Sequence, residues 1–151
     1  MKRSWLLVWA LLATLGVQAW ALDDKVDQED KKFEGTWIVT AMEVGGQKVP
    51  DEGFKEMTFT FKGKKYEQKV GDQIVEAGTQ DLDPSKTPKH MDITVTSEGP
   101  TKDAKQLAIY EIDGDKAKIC AANHGDTERP GKFETKEGSK NMIFELKKKK
   151  D

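Results

Sequence analysis

Polar and apolar residues alternate one for one along much of this chain, and that two-residue rhythm suits extended strands and little else. Residues 57–62, Met-Thr-Phe-Thr-Phe-Lys, show it most plainly, and residues 90–96 repeat it with Met91, Ile93 and Val95 on one face. The same reading places strands over 36–44, 65–70, 74–82, 107–112, 116–121 and 142–146, eight in all. Short turns separate them. Gly63-Lys64, Gly71-Asp72 and Asp113-Gly114-Asp115 supply residues that tolerate the positive φ of tight hairpins. Two connections are longer: residues 50–56, where one helical turn is expected, and residues 123–139, rich in Gly and Pro, with a short extra strand expected near 132–135. No stretch carries a long amphipathic helical pattern. Short strands recurring about every 8–12 residues imply a sandwich or barrel. Sequential hairpins favour a meander, and closing it removes exposed edges. The expected fold is therefore all-β: an eight-stranded antiparallel up-and-down barrel with a short helical turn after the first strand.

The first segment reads as an export signal. Lys2 and Arg3 precede an apolar and small-residue run from Trp5 to Val17, and Ala19-Trp20-Ala21 supplies small residues at the positions a signal peptidase reads. The run is short for a transmembrane helix, which needs about 20 residues. Residues 1–21 are assigned to a signal peptide cleaved near Ala21, 22–32 to a charged flexible leader, 33–148 to the barrel domain and 149–151 to a basic tail. An extracytoplasmic location, periplasmic or secreted, follows from that reading. Cleavage removes Lys2 and Arg3 and no acid, which leaves 23 basic against 27 acidic residues. The resulting charge near −4 argues against nucleic acid as a partner. Cys120, the one cysteine, has no partner for an internal disulfide, so packing alone must hold the fold. It lies in the apolar run Ile119-Cys120-Ala121-Ala122 and is expected to be a half-buried, inert thiol, with an intermolecular disulfide as the alternative.

Phe33-Glu34-Gly35-Thr36-Trp37 resembles the Gly-x-Trp opening of calycin barrels. The longer train is more particular. It runs through Phe59-x-Phe61-x-Gly63-x-x-Tyr66, Gly78-Thr79, Leu82-Asp83-Pro84-Ser85-Lys86-x-Pro88-Lys89, Met91-Asp92-Ile93, Ile109-Tyr110-Glu111-Ile112-Asp113-Gly114-Asp115 and Arg129-Pro130. Across about residues 33–148 this is similar to a lipocalin-like domain family of small, mostly secreted proteins abundant in planctomycete bacteria. The resemblance implies a lipocalin-type barrel and brings no catalytic residues. It also implies that Trp37 plugs one end of the barrel under a basic side chain. Arg129 is the candidate for that partner, and Lys147 of the last strand competes with it.

Alternation from Trp37 sends Val39 and Ala41 inward, with Met57, Phe59, Phe61, Met91, Ile93, Val95, Met142, Phe144 and Leu146 from other strands. Tyr66, Gln68 and Gln80 share that parity, and so does Glu43, expected at a wet rim. A few polar groups in an apolar concavity suit a small-molecule site. Phe59, Phe61, Tyr66, Gln80, Ile93 and Phe144 are the expected lumen lining for a small apolar or amphipathic ligand. An eight-stranded barrel is also narrow enough for side chains to fill it. The alternative is thus a filled barrel serving as a structural or interaction module of the cell envelope.

Little else in the chain points to chemistry. His90 is expected to face solvent and His124 sits in a loop. No His-x-His, Cys-x-x-Cys or His-Glu-x-x-His spacing calls for a metal. There is no Gly-x-Ser-x-Gly elbow and no phosphate-cradling loop opening a helix. The expectation is a non-enzymatic protein without cofactor, and with no transmembrane segment once the signal is removed.

Overall fold

The computed structural model describes residues 17–151. Most of the expected signal segment, residues 1–16, lies outside the described residues. Helix α1 (Val17–Phe33) leads into strands β1 (Gly35–Val44), β2 (Gln47–Lys48), β3 (Met57–Lys62), β4 (Lys65–Val70), β5 (Gln73–Asp83), β6 (Lys89–Val95), β7 (Lys105–Asp113), β8 (Lys116–Ala121) and β9 (Met142–Lys148). A single 3-10 turn, Asp51–Gly53, follows β2. Each strand pairs antiparallel with the next in the order β2-β1-β3-β4-β5-β6-β7-β8-β9. Strand β1 also pairs with β9, which closes β1 and β3 to β9 into an eight-stranded up-and-down barrel. The two-residue β2 is a flap folded back onto the end of β1.

The expected strands are all present, and so is the turn after the first of them. The extra strand near 132–135 is not formed. Instead the 122–141 connection lies over the outer face of the barrel, where Phe133 packs on Ile109, Cys120 and Ile143. Side-chain contacts hold it there. Thr135 Oγ1 accepts from the Gly46 N–H at 2.7 Å and donates to Glu43.

Two bulges reset the side-chain parity. In β1 the register with β9 slips between Val39 and Ala41, leaving Thr40 as the extra residue. Trp37 and Val39 point into the core, but beyond Thr40 it is Met42, opposite Phe144, that continues the inward face. The expected inward positions of Ala41 and Glu43 are therefore corrected, because one inserted residue inverts every position after it. In β5 the register with β4 slips between Gln68 and Lys69, which carries Ile74 and Val75 out to solvent while Glu76, Gln80 and Leu82 stay on the inward face.

Residues 22–32, expected as a flexible leader, belong to α1, and the last turn of that helix caps the barrel. Phe33 is fully buried, with ring centroids 5.1 Å from Phe61, 5.3 Å from Tyr110 and 6.0 Å from Trp37. Its carbonyl accepts the Trp37 indole N–H at 2.7 Å. Glu29, only 4 % exposed, accepts from Tyr110 Oη at 3.0 Å, from Lys89 Nζ at 3.1 Å and from Lys32. Burial alone would push the Glu29 carboxyl up, yet these hydrogen bonds outweigh it and hold the group below the ordinary glutamate range. Charge density hid this cap, since a helix anchored by a buried carboxylate and one phenyl ring lacks an apolar stripe.

Candidate ligand cavity

With α1 across one end, the interior keeps a cavity of about 190 Å³ toward the other. All six side chains expected to line the lumen do line it: Phe59, Phe61, Tyr66, Gln80, Ile93 and Phe144. Alternation on paired strands brings them together. Phe59 and Phe61 are successive inward positions of β3, and Tyr66 stands opposite Phe61 on β4. Gln80 of β5 is opposite Ile93 of β6. The Phe59 ring meets Phe144 edge-on at 5.3 Å and lies parallel to Phe61 at 6.3 Å. Met42, Met91 and Met142 add flexible apolar surface to this aromatic wall.

The polar groups converge at one flank. Tyr66 Oη donates to Glu76 Oε1 at 2.8 Å, and Thr101 Oγ1 lies 3.4 Å from Glu76 Oε2. His124 Nε2 approaches the same Oε2 to 3.0 Å but off the line of a hydrogen bond, so that nitrogen keeps no aligned partner. The Glu76 and His124 side chains are 14 % and 21 % exposed. Burial first, then the neighbouring Glu76 charge, pushes the Tyr66 hydroxyl far above its ordinary value, so it stays a protonated donor. The Tyr66 ring fits because residue 78 is glycine. A Cβ there would stand 3.0 Å from Tyr66 Cε1 and 2.1 Å from the Thr94 carbonyl oxygen.

Farther in, Gln80 is 1 % exposed. Its Nε2 donates to the Gly63 carbonyl at 2.8 Å, which fixes the amide orientation and leaves Oε1 buried without a partner. Gln106 Nε2 donates to the Ala122 carbonyl at 2.8 Å, and Gln68 Nε2 lies 3.3 Å from Met57 Sδ. The cavity can thus enclose an apolar body and offer it acceptors. Among the described residues no serine, cysteine or lysine lines the cavity beside the Glu76–His124 pair.

Sequence reasoning missed Met42, Glu76, Gln106, Ile119, Ala121 and His124 as lining residues. Glu76 was within reach, since it lies two inward steps before Gln80 on the same strand face. Met42 depends on the Thr40 bulge, and His124 on the path of a loop that no periodicity describes.

The basic partner of Trp37 needs correcting. Lys148, opposite Trp37 in the β1–β9 ladder, sets its Nζ 5.4 Å from the indole centroid. Lys147 pairs with Ile38 on the outward parity. Arg129 is engaged elsewhere. Its guanidinium donates to the Ala108 carbonyl at 2.7 Å, to the Met91 carbonyl at 3.1 Å and to Asp92, pinning the 122–141 connection to β6 and β7. Trp37 itself is completely buried beneath α1.

Cys120 is wholly buried on the outward side of β8, beneath Phe133 and within 3.8 Å of the Glu134 carbonyl. Burial pushes its thiol up to about 11. No cluster of three or more His, Cys, Asp or Glu is arranged to hold a metal among the described residues. Nor is any helix among them long and apolar enough to cross a membrane. No protein-family model, no curated protein and no solved structure matches this chain.

Proposed function

We propose that this chain is an exported, non-enzymatic, lipocalin-like barrel that carries a small apolar or amphipathic molecule in its interior. The observation that supports this reading is the cavity: about 190 Å³, walled by phenylalanine and methionine, with a few polar groups on one flank. For scale, an engineered cavity of about 150 Å³ holds benzene. The space therefore suits one ring or a short chain, and each Å² of apolar surface removed from water contributes roughly 25 cal/mol before ordering costs. Export rests on the basic, apolar and small-residue succession of residues 1–21, and kinship with the planctomycete lipocalin-like family on the residues that resemble it.

Native mass spectrometry of protein isolated from its own host is the direct test. A bound small molecule, released on denaturation, is expected. Protein that repeatedly arrives empty and takes up no ring-sized compound in solution sinks the reading. The mass of the same material tests export, with the N-terminus expected at Leu22.

One observation favours an envelope interaction module instead. Val70, Ile74 and Val75 are exposed around the β4–β5 turn, at 41 %, 53 % and 52 %. A stable protein partner recovered from envelope fractions, without any small molecule, would support that second reading.

A further inference from the structure

The cavity walls differ sharply in which hydrogen-bonding groups they leave unspent. Among the described residues no lysine or arginine lines the space, and Glu76 is the carboxylate in the lining. It is mostly buried, and the groups around it are a phenol, a threonine hydroxyl and an imidazole rather than a permanent cation. A carboxylate held away from water without a full countercharge is electrostatically incomplete, and a cation placed beside it would be favoured. Farther along the wall, Gln80 Oε1 is a second acceptor, buried and without a donor. The aromatic faces of Phe59, Phe61 and Phe144 complete the lining, and such faces attract cations as well as apolar groups.

We infer that the cavity selects a compact amphipathic amine, one apolar ring or short chain bearing a protonated nitrogen, with Glu76 receiving the ammonium and the Phe59–Phe61–Phe144 wall enclosing the apolar part. This rests on the ligand-carrier reading and narrows it. Fatty acids and other carboxylates are disfavoured twice: they bring a second negative charge to Glu76, and the described lining offers no lysine or arginine to receive it. A volume of about 190 Å³ encloses one ring or a short chain, so the part of the ligand held inside is small.

Three probes of similar size, each one phenyl ring with a short side chain, separate the possibilities: 2-phenylethylamine, phenylacetate and ethylbenzene, titrated into the full chain at pH 8 and followed by calorimetry and by amide shifts of cavity residues. The expected order is amine tightest, with the carboxylate weaker by tenfold or more, on the order of one charge-assisted hydrogen bond. In Glu76→Gln the amine advantage should shrink to about twofold while ethylbenzene binding persists. Equal or tighter binding of the carboxylate overturns the inference, as does an unchanged amine preference in a folded Glu76→Gln protein. Ethylbenzene binding without amine preference leaves the carrier reading standing and removes this one; no binding of any probe removes both. Should Glu76→Gln fail to fold, the ranking of the three probes on the unaltered chain decides.

Discussion

Tyr110 donates its hydroxyl proton to Glu29 across a 3.0 Å hydrogen bond, joining β7 to the last turns of α1 over a sequence separation of 81 residues. Lys89 and Lys32 complete the cage around the same carboxylate. Glu29→Gln keeps the shape but discards the charge, leaving two ammonium groups without their counter-charge and turning one acceptor oxygen into a donor. The expected loss is about 2 kcal/mol of stability, with α1 loosening before the barrel melts. Amide hydrogen exchange checks this. Faster exchange should be confined to α1 and the Trp37 indole, and protection equal to that of the unaltered chain would refute the cap.

Acid should act through two neighbours of opposite sign. Glu29, held below its ordinary value of 4.5, contributes stability that is complete above that pH and is lost as pH falls through its lowered folded value. Asp30 is raised above 3.8, chiefly by burial, so it gains a proton more readily in the folded chain and offsets part of that loss. Asp30→Asn removes the offset. The variant should be more stable than the parent at neutral pH and should lose stability more steeply below about pH 4.5. Urea midpoints across that range provide the measurement, and parallel acid profiles for the two proteins would contradict the assignment.

Gly78→Ala should be among the most damaging small substitutions in the barrel. Its Cβ would meet the Thr94 backbone oxygen at 2.1 Å, a group that cannot swing aside, and would also press on the Tyr66 ring. A cost of about 3 kcal/mol is expected, together with weaker probe binding as Tyr66 tilts away from Glu76. Gly131→Ala, which meets nothing within 4 Å, serves as the control and should stay within about 0.5 kcal/mol of the parent. Comparable losses in both variants would remove the packing explanation.

Cys120 should resist thiol reagents in the native protein. With its ionisation pushed up to about 11 and its sulfur sealed beneath Phe133, aromatic disulfide reagents at pH 8 are expected to label it only after unfolding. Arg129→Ala, which frees the covering connection, should speed that labelling. Rapid labelling of the unaltered native chain would show that the cover is not closed.

Lys148→Ala should shift the emission of Trp37 and cost about 1 kcal/mol, through the lost cation over the indole face. Lys147→Ala, on the outward parity, should leave the emission unshifted and cost no more than about 0.5 kcal/mol. Equal responses of the two variants would mean that Lys148 is not the partner of Trp37. Fluorescence and denaturant melts of the two proteins give the comparison, each taken in the form beginning at Leu22, where Trp37 is the one tryptophan.

The strands and the aromatic wall could be read in advance because alternation is a local property. Phe59, Phe61 and Phe144 announce their side of the sheet through their immediate neighbours. Local reading fails where one residue is inserted. Thr40 looks like any strand threonine, yet it turns Met42 inward and Glu43 outward. It fails again where polar groups do the anchoring, since Glu29 resembles the surface charge around it until Tyr110 and Lys89 are brought to it by the barrel. The partner of Trp37 needed the register of the last strand. Nothing in the spacing of Arg129 or Lys148 reveals which of them arrives at the indole.

The seam between β1 and β9 decides when the interior comes into being. The hairpins from β3 to β8 join near neighbours, whereas the Thr40 hydroxyl reaches the Glu145 carbonyl across 105 residues of chain. Bringing such distant segments together carries the largest loop-closure entropy in the molecule, so the meander is expected to assemble first and zip shut late. Until then Met42 and Phe144 stand on separate edges, no enclosed chamber exists, and any guest must enter at or after that final step.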